Sequence, residues 1–564
     1  MKKHLHFGLL ALGVITVVPT AMAETRLYHN FTGYTFTQSK TSGDFDLTSF
    51  THMVIEDDKV IAIGNSALQN DHPDARPVNL QGRTLLPGLI DSHGHVHGIG
   101  ENLLQVDLRG ISNRTGTVAK VANYADANLE LAWVLGRGWN QELWPNTDYP
   151  NRQDLDDVIN DRPVFLVRID AHAAWVNSQA LELAGIDDDT PDPEGGQIVR
   201  DANGKATGVL IDTAMELVRQ HIPVPQQSAR LEALNLAQEH LVSLGLTQVF
   251  DAGASAEQLS DFRHLNDQGD LKIRVNAMIS ASEPELPALL SEGVYTSDNH
   301  RLRVGNVKVY GDGALGSRGA RLIEPYSDDP ENYGLLITPA EQVRNIFNQV
   351  HDAGFQISYH AIGDFTNQLA LDEFARIIEQ SNEGENLAQY RHRIEHAQIV
   401  QPEDIPRFNE LGIIPSMQPT HATSDMNMAE DRVGNERIQS SYAWRTFIDN
   451  GSIIAAGSDF PVELANPFYG IHAAVTRQSR ESEPATGWYP QESLNLLETL
   501  RSFTIDAAYA GFADTYTGSL EPGKYADFIV VDRDPFKISN KDLWRIKVLE
   551  TYVGGERVFV QQPL

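Results

Sequence analysis

The sequence of 564 residues contains no cysteine. That excludes a disulfide framework, a thiolate zinc site and a cysteine nucleophile. Basic residues are scarce: 44 Lys and Arg stand against 77 Asp and Glu, a formal net charge of −33. Such a surface repels polyanions, so neither nucleic acid nor an anionic membrane is an expected partner. The same charge keeps an exported protein in solution. Beyond the first 23 residues, no apolar run approaches the length of a membrane span. What is present is a hydrophobic share of 41%, which supports a large core and excludes wholesale disorder.

Residues 1–23 read as a secretory signal. Lys2 and Lys3 give a positive start, an apolar stretch runs from Phe7 to Val18, and Ala21-Met22-Ala23 is a small-x-small cleavage site. A membrane anchor is the competing reading, but the run is too short and ends at Pro19. The expectation is a periplasmic or secreted protein with no membrane attachment after cleavage.

From about Thr84 to Ser502 a short apolar run, a polar or glycine-containing turn and an amphipathic helix recur. The runs are Thr84–His93, Leu246–Gly253, Leu271–Ile279, Val304–Gly313, Phe355–Asp364, Tyr390–Gln398, Gly412–Pro419 and Ser452–Pro461. Strands buried on both faces read as continuous apolar runs, and their alternation with helices marks parallel βαβ units. Eight such units predict an α/β fold, a (β/α)8 TIM barrel over 84–513. An open doubly wound sheet is the alternative, but no glycine-rich fingerprint follows the first strand. Residues 24–83 and 514–564 are polar and turn-rich, and are expected to form the two parts of one small β-sandwich. About 150 residues separate Asp91 from Leu246, too many for a bare loop. An inserted subdomain over about 110–225, placed at the barrel mouth, accounts for them, with strands at Ala132–Arg137 and Pro163–Ile169 and a hairpin at Gly196–Gly208.

The chemistry-bearing residues fall where the strands end. The first run finishes in Asp91-Ser92-His93-Gly94-His95, and two histidines at i and i+2 on an extended segment point to one side. Strand five ends in His360, strand six in His396 and strand eight in Asp459. Singly, each reads as a hydrogen-bonded structural histidine or a capping aspartate. Jointly they converge, because barrel active sites are built at the carboxyl ends of the strands. Four imidazoles and a carboxylate suit a borderline divalent ion such as Zn²⁺. Lys308 lies inside the fourth run, where an ammonium is costly to bury. It is either neutral, paired with Asp312, or carbamylated.

These features resemble the amidohydrolase superfamily: Pro-Gly-x-x-Asp-x-His-x-His, Val307-Lys308, His360, His396 and Gly457-Ser458-Asp459. Three further segments are similar to its amidohydrolase-3 branch, which contains N-substituted formamide deformylase. They are Gly138-Trp139-Asn140-Gln141-Glu142-Leu143-Trp144-Pro145, Asp170-Ala171-His172-Ala173-Ala174-Trp175-Val176-Asn177-Ser178, and Asp312-Gly313-Ala314-Leu315-Gly316-Ser317-Arg318. The likeness extends from about Val54 to Val558, with Gly518–Phe528 similar to the superfamily's return strand into the β-sandwich. It implies a first metal ion held by His93, His95 and Asp459. It implies a second held by His360 and His396, with carbamylated Lys308 as the bridge. Relatives with a single ion leave some of these positions free, and relatives that pair make a homodimer compatible with the resemblance.

The expected reaction is hydrolysis of a small-molecule, non-peptide C–N bond. Metal ions activate water and polarise the carbonyl oxygen. Asp459 takes the proton from water and passes it to the leaving nitrogen. The catalytic set is then Asp459, Lys308 and His172, and the pocket set Trp139, His172 and Arg318. Two readings stand for the pocket residues: Trp139 is either an apolar wall or part of the insertion's own core, and Arg318 either meets a substrate carboxylate or carbonyl or pairs internally with an acid. Two other functions compete: a hydrolase of the same fold acting on an ester, lactone or phosphoester, and a non-catalytic periplasmic binding protein.

Overall fold

The computed structural model of the chain describes residues 24–38, 45–169, 173–193, 196–380 and 387–562. Residues 1–23, expected to be a secretory signal, and His172 lie outside the described residues. Among the described residues, no helix is long and apolar enough to cross a membrane.

Eight parallel strands form the barrel. They are β1 (Leu89–Gly94), β2 (Leu246–Ala254), β3 (Arg274–Ser280), β4 (Leu302–Tyr310), β5 (Gln356–Ala361), β6 (Arg393–His396), β7 (Ile414–Met417) and β8 (Ala455–Ala456). Each falls within or against one of the eight apolar runs, and consecutive strands pair in parallel from β1 to β8. The ring closes at its carboxyl end. A parallel bridge joins Gly94 to Phe460, the Asp459 amide donates to the His93 carbonyl at 2.7 Å, and the His95 amide donates to the Phe460 carbonyl at 2.7 Å. Glycine is required at position 94, because a Cβ there would sit 2.3 Å from the Phe460 ring.

The first apolar run is divided, which moves the expected boundary between sandwich and barrel. Its first half ends a long strand, Arg76–Pro87, that belongs to the terminal sheet, and β1 begins only after Gly88. That sheet has eight strands. Arg76–Pro87 lies between the N-terminal Thr25–Gln38 and the C-terminal Phe528–Val531, so the two ends of the chain share one sheet. Its own core packs Tyr28 edge-on to Phe528 and stacks Phe528 on Tyr552 at 4.2 Å. The sheet meets the barrel at its amino end, where Arg274, the first residue of β3, pairs with Asp527.

Between β1 and β2 lies a separate six-stranded sheet. It starts at Val106–Asp107 and continues through Val134–Trp139, Val164–Arg168, Ala173–Val176, Gly196–Arg200 and Ala206–Asp212. The last two form the hairpin turned at Asn203-Gly204, with Gly204 at φ +79°. Two apolar clusters pack on the insertion, one centred on Trp139, Trp144 and Trp175, the other on Phe165, Leu181 and Leu210.

Candidate active site

The carboxyl ends of β1, β4, β5, β6 and β8 bring the predicted ligands together. His93 is fully buried and His95 is one-third exposed at its side chain. Ligand atoms of His93, His396 and Asp459 all lie within 4.8 Å of one another. His95 Nε2 is 3.1 Å from Asp459 Oδ1. Lys308 Nζ, fully buried, stands 3.1 Å from His93 Nε2. The His360 ring lies 4.4 Å from that of His396, while its Nε2 lacks a hydrogen-bond partner among the described residues and faces Asp312 Oδ1 at 3.6 Å. The backbone is left-handed at His396 (φ 73°), Ala397 (φ 43°) and Asp459 (φ 61°). Such conformations are unfavourable for residues with a Cβ and gather where a site fixes its side chains.

Hydrogen bonds behind the cluster orient it. Glu395 Oε2 accepts from His93 Nδ1 at 2.6 Å, which leaves the His93 lone pair on Nε2, facing the cluster. Gln418 Oε1 does the same for His396 Nδ1 at 2.8 Å. Arg393 holds Glu395 through two bonds of 2.8 and 2.9 Å. Asp91 accepts from the Ser458 hydroxyl at 2.6 Å and from the His93 amide at 3.0 Å, tying β1 to the end of β8.

The charges follow from burial and neighbours. Burial works to raise the Asp459 carboxyl, but the His95 hydrogen bond opposes burial and holds it well below the usual range, so it is ionised. Burial, reinforced by Lys308, pushes His93 down to about 4. Burial also pushes Lys308 down to about 8 against the pull of Glu395 and Asp459. Glu395 stays ionised: burial opposes its charge, and the Arg393 guanidinium overrides burial. Neutral imidazoles beside an ionised carboxylate are the protonation pattern that divalent metal binding requires.

The predicted pocket residues are placed differently. Trp139 has no exposed surface. Its indole N–H donates to the Leu166 carbonyl at 2.8 Å, and its ring packs against Trp144 and Trp175. The expectation that it walls the substrate pocket is therefore corrected: a ring sealed on every side belongs to the insertion's core. Arg318, on the loop after β4, makes a two-pronged pair with Asp328 at 2.8 and 3.0 Å, the internal pairing that was its alternative.

Three neighbours of the cluster escaped the sequence reading. Glu395 was hidden inside an apolar run beside His396. Tyr310 ends β4 with its ring 6.0 Å from His360, and its hydroxyl occupies the space beside Gly253 where a Cβ would lie 2.6 Å away. His421 lies in the helix Pro419–Asp425 after β7, with Nε2 3.7 Å from Asp459 Oδ2. The one available signal for it was another histidine shortly past a strand end.

Residues 76–559 match the model of the amidohydrolase family. The chain is 34% identical to the protein LONG AFTER FAR-RED 3 of Arabidopsis thaliana, covering 92% of this chain and 90% of that one. It is 26% identical to N-substituted formamide deformylase of Arthrobacter pascens, over 86% of this chain and 90% of that one. A solved structure of an uncharacterized metal-dependent hydrolase from Pyrococcus furiosus superposes with a TM-score of 0.74 at 30% identity, covering 91% of this chain and all of that one.

Proposed function

This chain belongs to the amidohydrolase family, and on that premise we propose that it is an exported, metal-dependent enzyme hydrolysing an amide-type, non-peptide C–N bond of a small molecule. The observation that carries this reading is the meeting of His93, His396 and Asp459 within 4.8 Å, with His95 and Lys308 in contact. Similarity to N-substituted formamide deformylase, which by its name acts on a formamide, supports the C–N bond as the target. Export rests on the character of residues 1–23.

The donor set fits a divalent ion. It offers imidazole nitrogens whose lone pairs are aimed inward by Glu395 and Gln418, one ionised carboxylate and no thiolate, a combination suited to zinc. His93, His95 and Asp459 would hold one ion, and His360 and His396 a second. Lys308 as an ammonium 3.1 Å from the His93 lone pair would oppose a cation, whereas as a carbamate it becomes an anionic bridging ligand. Bound there, a divalent ion polarises the scissile carbonyl and lowers the pKa of water. Asp459 does the proton work: ionised and within the His93–His396 cluster, it accepts a proton from the attacking water and delivers it to the leaving nitrogen. His172 is kept as a hydrogen-bonding residue for the substrate.

Metal analysis of the purified protein, together with assays on a chromogenic amide and a chromogenic ester, tests this. The expected result is stoichiometric metal and amide hydrolysis, both lost together in His93→Ala. Cleavage of the ester with the amide untouched would transfer the site to ester-type chemistry. Absence of both metal and hydrolysis would leave a binding protein.

A further inference from the structure

A cavity of about 150 Å³ lies between the helix Pro419–Asp425, the loop after β8, and the helix Pro467–Thr476 with the turn that follows it. The first of these helices serves two places: it sets His421 beside His396, and its Thr420 and Ser424 line the cavity. Two buried polar atoms in the lining have no hydrogen-bond partner among the described residues, Oγ1 of Thr420 (8% exposed) and Nε2 of His472 (1% exposed). At the rim stand Arg480 and Glu481, both exposed. The Arg480 guanidinium lies 4.4 Å over the Tyr469 ring. Neither of the two charged groups has a hydrogen-bond or ion-pair partner among the described residues. A second carboxylate, Glu463, accepts from the Ser424 hydroxyl.

Buried polar groups are normally paired, so two orphans on one cavity mark a place for polar atoms of a ligand. Burial, with Arg480 adding to it and Glu481 opposing, pushes His472 down to about 4, so its ring is neutral at neutral pH. The depth of the cavity therefore offers a neutral imidazole nitrogen and a hydroxyl. A charged group seated there would lose water without gaining a counter-charge. A ligand hydroxyl, donor and acceptor in one, pairs with both, whichever ring nitrogen of His472 carries the proton. The rim selects differently. An anion is drawn to Arg480 and repelled by Glu481 and Glu463, and a cation meets the reverse. A ligand carrying both charges meets an opposite charge with each. The volume admits roughly six or seven non-hydrogen atoms, since benzene fills an apolar cavity of that size.

We propose that this cavity is a binding site for a small hydroxylated α-amino acid, of the size of free serine. Its carboxylate meets Arg480, its ammonium meets Glu481 and Glu463, and its side-chain hydroxyl lies between Thr420 Oγ1 and His472 Nε2. The face of Tyr469 holds the guanidinium at the opening. Binding here needs neither a metal ion nor hydrolysis, so the assignment stands or falls apart from the function proposed above.

Calorimetric titration of the metal-loaded protein with L-serine and three compounds that each lack one of its groups tests this: L-alanine without the hydroxyl, 3-hydroxypropionate without the ammonium and ethanolamine without the carboxylate. L-Serine is expected to bind saturably and each of the others at least ~10-fold more weakly, because each leaves a polar partner in the site unpaired. Thr420→Val should abolish the advantage of serine over alanine. Arg480→Met should weaken serine at least ~10-fold without weakening ethanolamine, since it removes only the partner of the carboxylate. Both variants should melt near the wild-type temperature. Independently, ¹⁵N NMR of histidine-labelled wild-type protein should show the His472 signals shifting with serine occupancy. Serine binding unchanged in both variants, or His472 signals that serine does not move, would place the amino acid elsewhere, the metal centre included, and overturn the assignment. Alanine or 3-hydroxypropionate binding as tightly as serine would overturn the ligand class, and saturable binding by none of the four would leave the cavity to water.

Discussion

The two ends of the barrel satisfy their buried polar groups in opposite ways. At the amino end, Arg274 gives Nε and Nη2 to Asp527 at 2.6 and 3.0 Å and Nη1 to the carbonyls of Asn299 and His300, while its guanidinium lies 4.1 Å over the Tyr525 ring. Asp527 also accepts from the Gly554 amide at 2.7 Å. At the carboxyl end, Ser92 Oγ, His360 Nε2 and His421 Nε2 are buried without hydrogen-bond partners among the described residues, and left-handed backbone recurs at His396 and Asp459. His392, just before β6, is packed between rings, and His396 at the strand's last residue opens to the cluster. A closed hydrogen-bond account serves stability, whereas open acceptors around an ionised carboxylate are free energy held for a ligand.

Substitutions that separate catalysis from folding would break or sharpen this contrast. The largest effect is expected from Asp459→Asn, which keeps the side-chain shape and removes the proton acceptor. We expect kcat to fall by roughly 10²–10⁴-fold, the range for loss of a general acid–base group, with a melting temperature close to wild type. A loss below tenfold would place the base elsewhere. Arg274→Met should do the reverse. It leaves Asp527 buried without its cation, which typically costs about 3–5 kcal/mol of stability, and it leaves kcat per folded molecule unchanged. Denaturant unfolding and active-site titration read the two quantities separately, and a variant stable but inactive would refute the division between the ends.

Much of this was legible in the sequence, and the parts that were not have physical reasons. Buried parallel strands must be apolar throughout, so the eight runs announced the barrel, and His93, His396 and Asp459 stood out because they interrupt such runs at their ends. Where Thr84–His93 breaks was illegible, since the apolar pattern continues across Gly88; only the packing of Gly88 against Thr247 marks the change of sheet. Trp139 was ambiguous for a different reason. An aromatic beside polar residues reads equally as a pocket wall or a core member, and its contacts with Trp144 and Trp175 are tertiary. Glu395 meets His93 of another strand, and His421 meets Gln398 from the helix after β7, tertiary contacts that no spacing along one strand encodes.

A smaller effect, read by pH, is expected from His392, the residue just before β6. His392 lies between Phe374 and Tyr390, near His351, and its Nδ1 accepts the Ile357 amide at 3.0 Å. Burial, with His351 adding to it, pushes it down to about 3. The unfolded chain protonates this residue near pH 6.5 and the folded one does not. Stability is therefore fully present above about pH 6.5 and drains away as pH falls toward 3, by about 2 kcal/mol between pH 7 and 5. His392→Asn should flatten the fall in unfolding free energy between those two values by that amount. An unchanged slope would mean that the acid sensitivity lies with other buried histidines.

The smallest effect is expected at Arg318, and it bears on where the substrate binds. Its pair with Asp328 is partly solvated, and Asp328 is also engaged by Arg432, so the carboxylate keeps a cationic partner when Arg318 is removed. Exposed pairs of this kind contribute little to stability. Arg318→Ala should accordingly leave the melting temperature and kcat/KM near wild-type values. A rise in KM with kcat and melting temperature intact would instead mean that Arg318 exchanges Asp328 for an anionic or carbonyl group of the substrate, and would extend the open, ligand-seeking end of the barrel onto the loop after β4.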